Sequence, residues 1–110
     1  MAKLESVTIA SGAATSSSVD FQRSGDQFEI GSLVLDGTYT NTSFDIQAEV
    51  DGTWFDIYDT FGTKYNVTVN DGKHSLPADV FKDVNKVRLK GASNEGAERT
   101  AKFLLIDILD

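Results

Sequence analysis

The sequence predicts an all-β fold: an antiparallel β-sandwich, jelly-roll-like, with about seven or eight strands and at most one short helix near residues 77–84. Three observations carry this expectation. Apolar and polar residues alternate with a period of two along most of the chain, the mark of strands with one buried face. Asp-Gly recurs at Asp36-Gly37, Asp51-Gly52 and Asp71-Gly72, each beside β-prone residues. Asp-Gly supplies the positive φ that a tight hairpin turn needs. Helix signals are confined to one short stretch. A jelly roll and an immunoglobulin-like sandwich both fit this pattern, since the lack of a Cys-Trp-Cys spacing does not exclude the latter.

Taken in order, Val7 and Ile9 alternate in a first strand. The small, polar stretch from Ala10 to Ser18 reads as a loop between two edge strands, because alternation resumes at Val19 and Phe21. Phe44, Ile46, Ala48 and Val50 follow, then Phe55 and Ile57, then Tyr65, Val67 and Val69. Leu76–Val84 holds the only proline, with Val80, Phe81 and Val84 on about one face. This spacing predicts a helix of one or two turns linking strands. Val87 and Leu89 form the next strand, Lys90–Arg99 a loop, and Phe103 and Leu105 begin the last strand. No repeat of solenoid length is present.

The chain has 110 residues and reads as one domain, residues 1–110. Chains of this size bury roughly two-thirds of their unfolded surface and need no covalent staples. There is no cysteine, which removes disulfides and thiolate metal sites and suits a reducing compartment. Hydrophobic residues make up 40% of the chain, with 17 acidic against 10 basic residues and a formal charge of −7. That balance disfavours nucleic acid, whose binding requires a basic surface, and anionic lipid. No apolar run reaches the roughly 20 residues that span a bilayer. The start of the chain lacks the apolar core of a signal peptide, so synthesis in a cytoplasm is expected, without secretion by the usual route.

The stretch "EVDGTWFDIYDTFG" (residues 49–62) concentrates aromatics and aspartates. With Asp51-Gly52 as a two-residue turn, Glu49 faces Trp54, Ala48 faces Phe55, Gln47 faces Asp56, Ile46 faces Ile57 and Asp45 faces Tyr58. Opposed residues share a face. One face then holds Phe44, Ile46, Ala48, Phe55 and Ile57, and belongs to the core. The other holds Trp54, Asp56 and Tyr58 beside Asp45, Gln47 and Glu49. Trp54, Asp56 and Tyr58 are therefore candidate contact residues, because aromatics are enriched at interface centres. In this register Asp51, Asp56 and Asp59 do not converge as a calcium loop requires, so no metal site is expected.

No catalytic site is expected either. His74, the single histidine, follows a turn and is expected in solvent. Ser75 beside it points the other way, and no G-x-S-x-G is present. "GASNEG" lacks the lysine and the strand-to-helix setting of a phosphate loop. No cofactor is implied. The sequons at Asn41 and Asn66 read as coincidental without a secretion signal. The last strand, "KFLLIDIL", is apolar on both parities. A central strand covered on both sides satisfies this, and so does burial in an assembly. On the second reading Leu104, Ile106 and Ile108 are interface candidates.

Three blocks, "VTIASGAATSSSVDF", "FDIQAEVDGTWFDIYDTFGTKYNVTV" and "VNKVRLKGASNEGAERTAKFLLIDI", together resemble small β-sandwich accessory proteins of tailed-bacteriophage virions: capsid decoration or cement proteins and related head-fibre or tail domains. The resemblance spans about Ser6 to Leu109, while "QRSGDQFEIG" and "DGTYTNTSF" match little. It implies a non-enzymatic structural protein made in a bacterial cytoplasm and carried on the virion. Its partners would be the major capsid protein or another virion protein, with self-association. The alternative from another class is a carbohydrate-binding jelly-roll module of a fibre or tail component, with a glycan stacked on Trp54 and Tyr58 beside Asp56.

Overall fold

A computed structural model describes residues 2–20, 28–81 and 84–107. Its elements are β1 (Ala2–Ile9), β2 (Val19–Asp20), β3 (Phe28–Leu35), β4 (Ser43–Val50), β5 (Thr53–Asp56), β6 (Asn66–Thr68), β7 (Gly72–Ser75), α1 (Ala78–Phe81), β8 (Lys86–Lys90) and β9 (Arg99–Asp107). They form two antiparallel sheets. Sheet A runs β1-β9-β3-β7; sheet B runs β2-β8-β4-β5, with β6 also on β4. The chain passes from one sheet to the other at nearly every connection. β5 and β6 lie along the same edge of β4 and act as one interrupted strand. The eight strand positions then have the two-sheet, Greek-key arrangement of a jelly roll. The expected all-β sandwich is what the chain forms, with the single expected helix between β7 and β8 and the first loop joining two edge strands.

The core lies between the sheets. Val7, Ile9, Leu33, Leu35, Phe103 and Leu105 face inward from sheet A; Phe44, Ile46, Val87 and Leu89 face them from sheet B. Full burial of each large side chain contributes about 1.5–3 kcal/mol. Phe81 of α1 closes one end, packed edge-on against Tyr65 with ring centroids 5.3 Å apart. Gly31 forms a β-bulge, where the β3–β9 register shifts between Ile30 and Ser32. A Cβ there would stand 2.8 Å from Ile106 Cδ1, so glycine lets the Ile106 side chain lie across the strand.

The hairpin register holds at four pairs: Gln47–Asp56, Ala48–Phe55, Glu49–Trp54 and Val50–Thr53. Asp51 and Gly52 both have positive φ, 52° and 84°, as a type I′ turn demands. Beyond Asp56 the expectation fails. Asp45 pairs with Asn66, not Tyr58, because residues 58–64 loop out; a Tyr65 N–H to Ile57 C=O bond of 2.7 Å closes the neck of that loop, and the chain rejoins β4 at Asn66. Phe55, expected in the core, is 53% exposed. Burial falls from Ile46 to Ala48 to Val50 as the hairpin runs out beyond the opposite sheet. Only one of the three Asp-Gly pairs closes a hairpin; the other two carry the chain between sheets. His74 is half-buried on β7, not fully in solvent, with Nε2 2.7 Å from the Asn70 carbonyl. Phe21, Ile108 and Leu109 lie outside the described residues.

Candidate functional site

The outer face of sheet B carries the Trp54 stripe, and its groups bond largely to one another. Arg88 Nε donates to Gln47 Oε1 at 2.8 Å, and Gln47 Nε2 donates to Asp56 Oδ1 at 3.0 Å. The Arg88 guanidinium lies 4.4 Å from the Trp54 ring centroid, so it occupies one ring face in a cation–π contact. Lys64 bridges Asp45 at 3.4 Å and Asp56 at 3.9 Å, while Lys86 meets Glu49 at 3.4 Å. The charge of Asp45, its hydrogen bond and the charge of Asp56 raise the Lys64 pKa. Trp54 and Asp56 are half-buried, whereas Tyr58 is exposed and pairs with Lys64. The stripe exists as a surface, but its tryptophan and its acid already have partners.

The outer face of sheet A is built differently. In antiparallel pairs, opposed residues share a face, so Leu4 and Leu104 lie in one outward row that ends at Ser32, itself buried, and Ile106 lies one row along. Leu104 is half-buried; Leu4 and Ile106 are 56% and 42% exposed. β9 is a central strand, between β1 and β3, so this apolar patch occupies the middle of a sheet and extends to its β1 edge. A sandwich in water normally presents polar residues there. Leu104 and Ile106 thus fall together on one surface; Ile108 lies outside the described residues.

A third feature escaped the sequence reading. Phe61 is 90% exposed at the tip of the loop that interrupts β5–β6. Asp59 builds that tip. Its Oδ1 accepts the Phe61 N–H at 2.9 Å and the Thr63 N–H at 3.0 Å, and its backbone bonds to Thr63 and Gly62. Gly62 takes φ 82°, which the turn requires. The signal was Asp-x-x-Gly, an Asx-turn pattern. Phe61→Ala is expected to leave stability within about 0.5 kcal/mol, while Asp59→Ala costs about 1 kcal/mol through two lost hydrogen bonds. Urea unfolding of the two variants checks the contrast.

The opposite end of the sandwich is fastened by Glu95, which is 1% exposed. Its carboxylate accepts the Thr40 and Asn41 N–H groups, the Asn41 side-chain amide and Arg99 Nε. The same contacts bury the amide of Asn41. Every buried side-chain polar atom among the described residues has a partner. The described His, Asp and Glu residues form no group of three able to hold a metal ion, and no described helix is long and apolar enough to cross a membrane. No protein-family model matches the chain, and no curated protein matches its sequence significantly.

Proposed function

We propose that this chain is a non-enzymatic structural protein of a tailed-bacteriophage virion, a capsid decoration protein that attaches through the outer face of sheet A. The observation that carries the reading is the contrast between the two outer faces. Sheet B satisfies its charges internally; sheet A presents Leu4, Leu104 and Ile106 at the centre and edge of a sheet. Apolar surface of that kind marks protein contact. The jelly-roll arrangement recurs in capsid and lectin domains, and the resemblance of three sequence blocks favours the virion. Decoration works by repetition, since many modest contacts on a symmetric shell hold it together. A glycan-binding role is less well supported, because Arg88 already covers one face of Trp54.

Cosedimentation with heads of the phage whose genome encodes this chain tests the proposal. The expected result is saturable binding at a fixed ratio to capsomers. Ile106→Lys is expected to abolish it while leaving the circular dichroism spectrum unchanged, since Ile106 is 42% exposed. A chain that stays in the supernatant at saturating head concentration overturns the proposal. Attachment unaffected by Ile106→Lys removes sheet A as the contact.

A further inference from the structure

We propose that the free edge of β1 is a self-complementary dimer interface, in which two copies pair their β1 strands antiparallel about a twofold axis at Leu4. The two sheets A then join into one continuous sheet. This pairing stands on edge geometry alone and does not depend on the virion role.

A two-sheet sandwich has four edge strands, and two of these are blunted: β7 offers four residues, and the 58–64 loop breaks β5–β6. The described part of β2 is two residues. β1 is the exception. It has eight residues, no proline, and an unbroken register with β9 from Ala2 to Ile9. A long, regular edge is a template for another strand.

The hydrogen bonds show which groups face that edge. Thr8 donates its N–H to Ser17 Oγ at 3.0 Å, and its carbonyl accepts the Ser17 N–H at 2.9 Å. Both groups therefore point away from β9. Thr100, opposite Thr8, agrees: its carbonyl turns toward β3 and accepts the Tyr39 hydroxyl at 2.8 Å. Strand groups alternate in direction with a period of two, so Ser6, Leu4 and Ala2 also direct their N–H and C=O to the edge. Ser17 closes the edge at Thr8. Among the described residues the backbone groups of Ala2, Leu4 and Ser6 that face the edge carry no such bond, and the centre of that stretch is Leu4.

Leu4 is also the centre of a charge pattern. Lys3 and Glu5 flank it, 2.9 Å apart and facing the inner side. Inward charges usually protect an edge, but two of opposite sign placed symmetrically about an axis do the reverse. With the axis at Leu4, Lys3 faces the partner's Glu5, and Glu5 faces the partner's Lys3. Opposed opposite charges stabilise an antiparallel pair; opposed like charges destabilise it. An axis at Lys3 or Glu5 sets like charges together and presents backbone groups already used by β9. The Leu4 axis alone satisfies both requirements. On the outer face it sets Leu4 against the partner's Leu4 and brings the two Leu104–Ile106 patches side by side, which is the self-complementarity a twofold contact demands.

Size-exclusion chromatography with light scattering tests the pairing on the full chain. The wild type is expected to dimerise reversibly, dissociating on dilution. Lys3→Glu and Glu5→Lys each place like charges across the axis twice, and each is expected to weaken dimerisation by about tenfold or more. Mixed in equal amounts, the two variants regain opposite-sign pairs and form a heterodimer of near wild-type affinity. A surface role for either charge alone predicts no such rescue. The unmodified chain gives a second readout: amide exchange at Leu4 and Ser6 slows as protein concentration rises. A wild type that is monomeric up to its solubility limit overturns the proposal. So do single variants that dimerise like wild type, a mixture that stays monomeric, or exchange at Leu4 and Ser6 that ignores concentration.

Discussion

Glu95→Ala is expected to destabilise the fold by about 3–5 kcal/mol, the range for stripping one partner from a buried charged network. Glu95 sits in the loop before β9 but serves three loops at once. Its carboxylate takes the Thr40 N–H at 2.7 Å, the Asn41 N–H at 3.1 Å, the Asn41 amide and Arg99 Nε at 3.0 Å. Its backbone N–H donates to the Ala13 carbonyl at 2.9 Å, and its own carbonyl accepts the Gly12 N–H at 2.8 Å. The alanine variant keeps these backbone bonds, strips the Thr40 and Asn41 N–H groups and Arg99 Nε of this acceptor, and leaves the Asn41 amide with the Ser93 carbonyl alone. Glu95→Gln keeps the volume but turns an NH₂ toward groups that are themselves donors, so it is expected to cost about 2 kcal/mol or more. Urea unfolding reads both losses as a lower midpoint with an unchanged slope.

The same carboxylate makes stability depend on pH in a defined window. Burial on its own would raise the Glu95 pKa. The hydrogen bonds from Thr40, Asn41 and Arg99 outweigh it and bring the value from 4.5 down to about 2. A depressed folded-state pKa means stability that is complete above 4.5 and is lost as the pH falls through about 2. The amount is about 3 kcal/mol. The stability gap between wild type and Glu95→Gln is therefore expected to be wide at neutral pH and to close between pH 4.5 and 2. A gap that is constant across that range would show that the carboxylate's charge contributes nothing.

Local chemistry was legible in the sequence, and long-range partnership was not. Asp51-Gly52 announced its turn because positive φ at two successive positions is a local demand. The last strand announced an unusual environment because both parities are apolar, and Leu104 and Ile106 do share a surface. Phe55 was misassigned because alternation reports the face of a sheet but not how far the opposite sheet extends. The Tyr58 register failed because the pattern through Asp56 and Ile57 carries no sign that the chain leaves β4 after Asp56 and returns only at Asn66. Asp36-Gly37 and Asp71-Gly72 look the same as Asp51-Gly52, yet which sheet receives the next strand is decided by contacts distant in sequence. Gly31 within "FEIGSLVL" did carry a bulge signal. Glu95 looked like one more acid in a polar loop. Its role depends on Thr40 and Asn41, more than fifty residues away, and no local pattern records that.

Gly91→Ala is expected to cost about 3 kcal/mol, although the change adds only one methyl group and Gly91 has no unusual φ. The reason is what the methyl meets. A Cβ at Gly91 would stand closer than 3.0 Å to three atoms of the Asn41 side chain. A flexible side chain would swing aside cheaply, but Asn41 is fixed at both ends. Its Nδ2 donates to the Ser93 carbonyl at 2.8 Å and to Glu95, and its Oδ1 accepts the Ser93 N–H at 2.9 Å. Gly91 cannot retreat either, because its own N–H is bonded to the Ala14 carbonyl at 2.8 Å. Room for the methyl thus comes only by breaking the Asn41 bonds, which combines overpacking with loss of buried hydrogen bonds. Asn41→Ala removes the obstacle. The double variant Gly91→Ala/Asn41→Ala is expected to be more stable than the sum of the two single losses by about 0.5–3 kcal/mol, the coupling typical of residues in contact. Additive losses in a double-mutant cycle would place the cost of Gly91→Ala in the backbone instead, and would remove Asn41 as its cause.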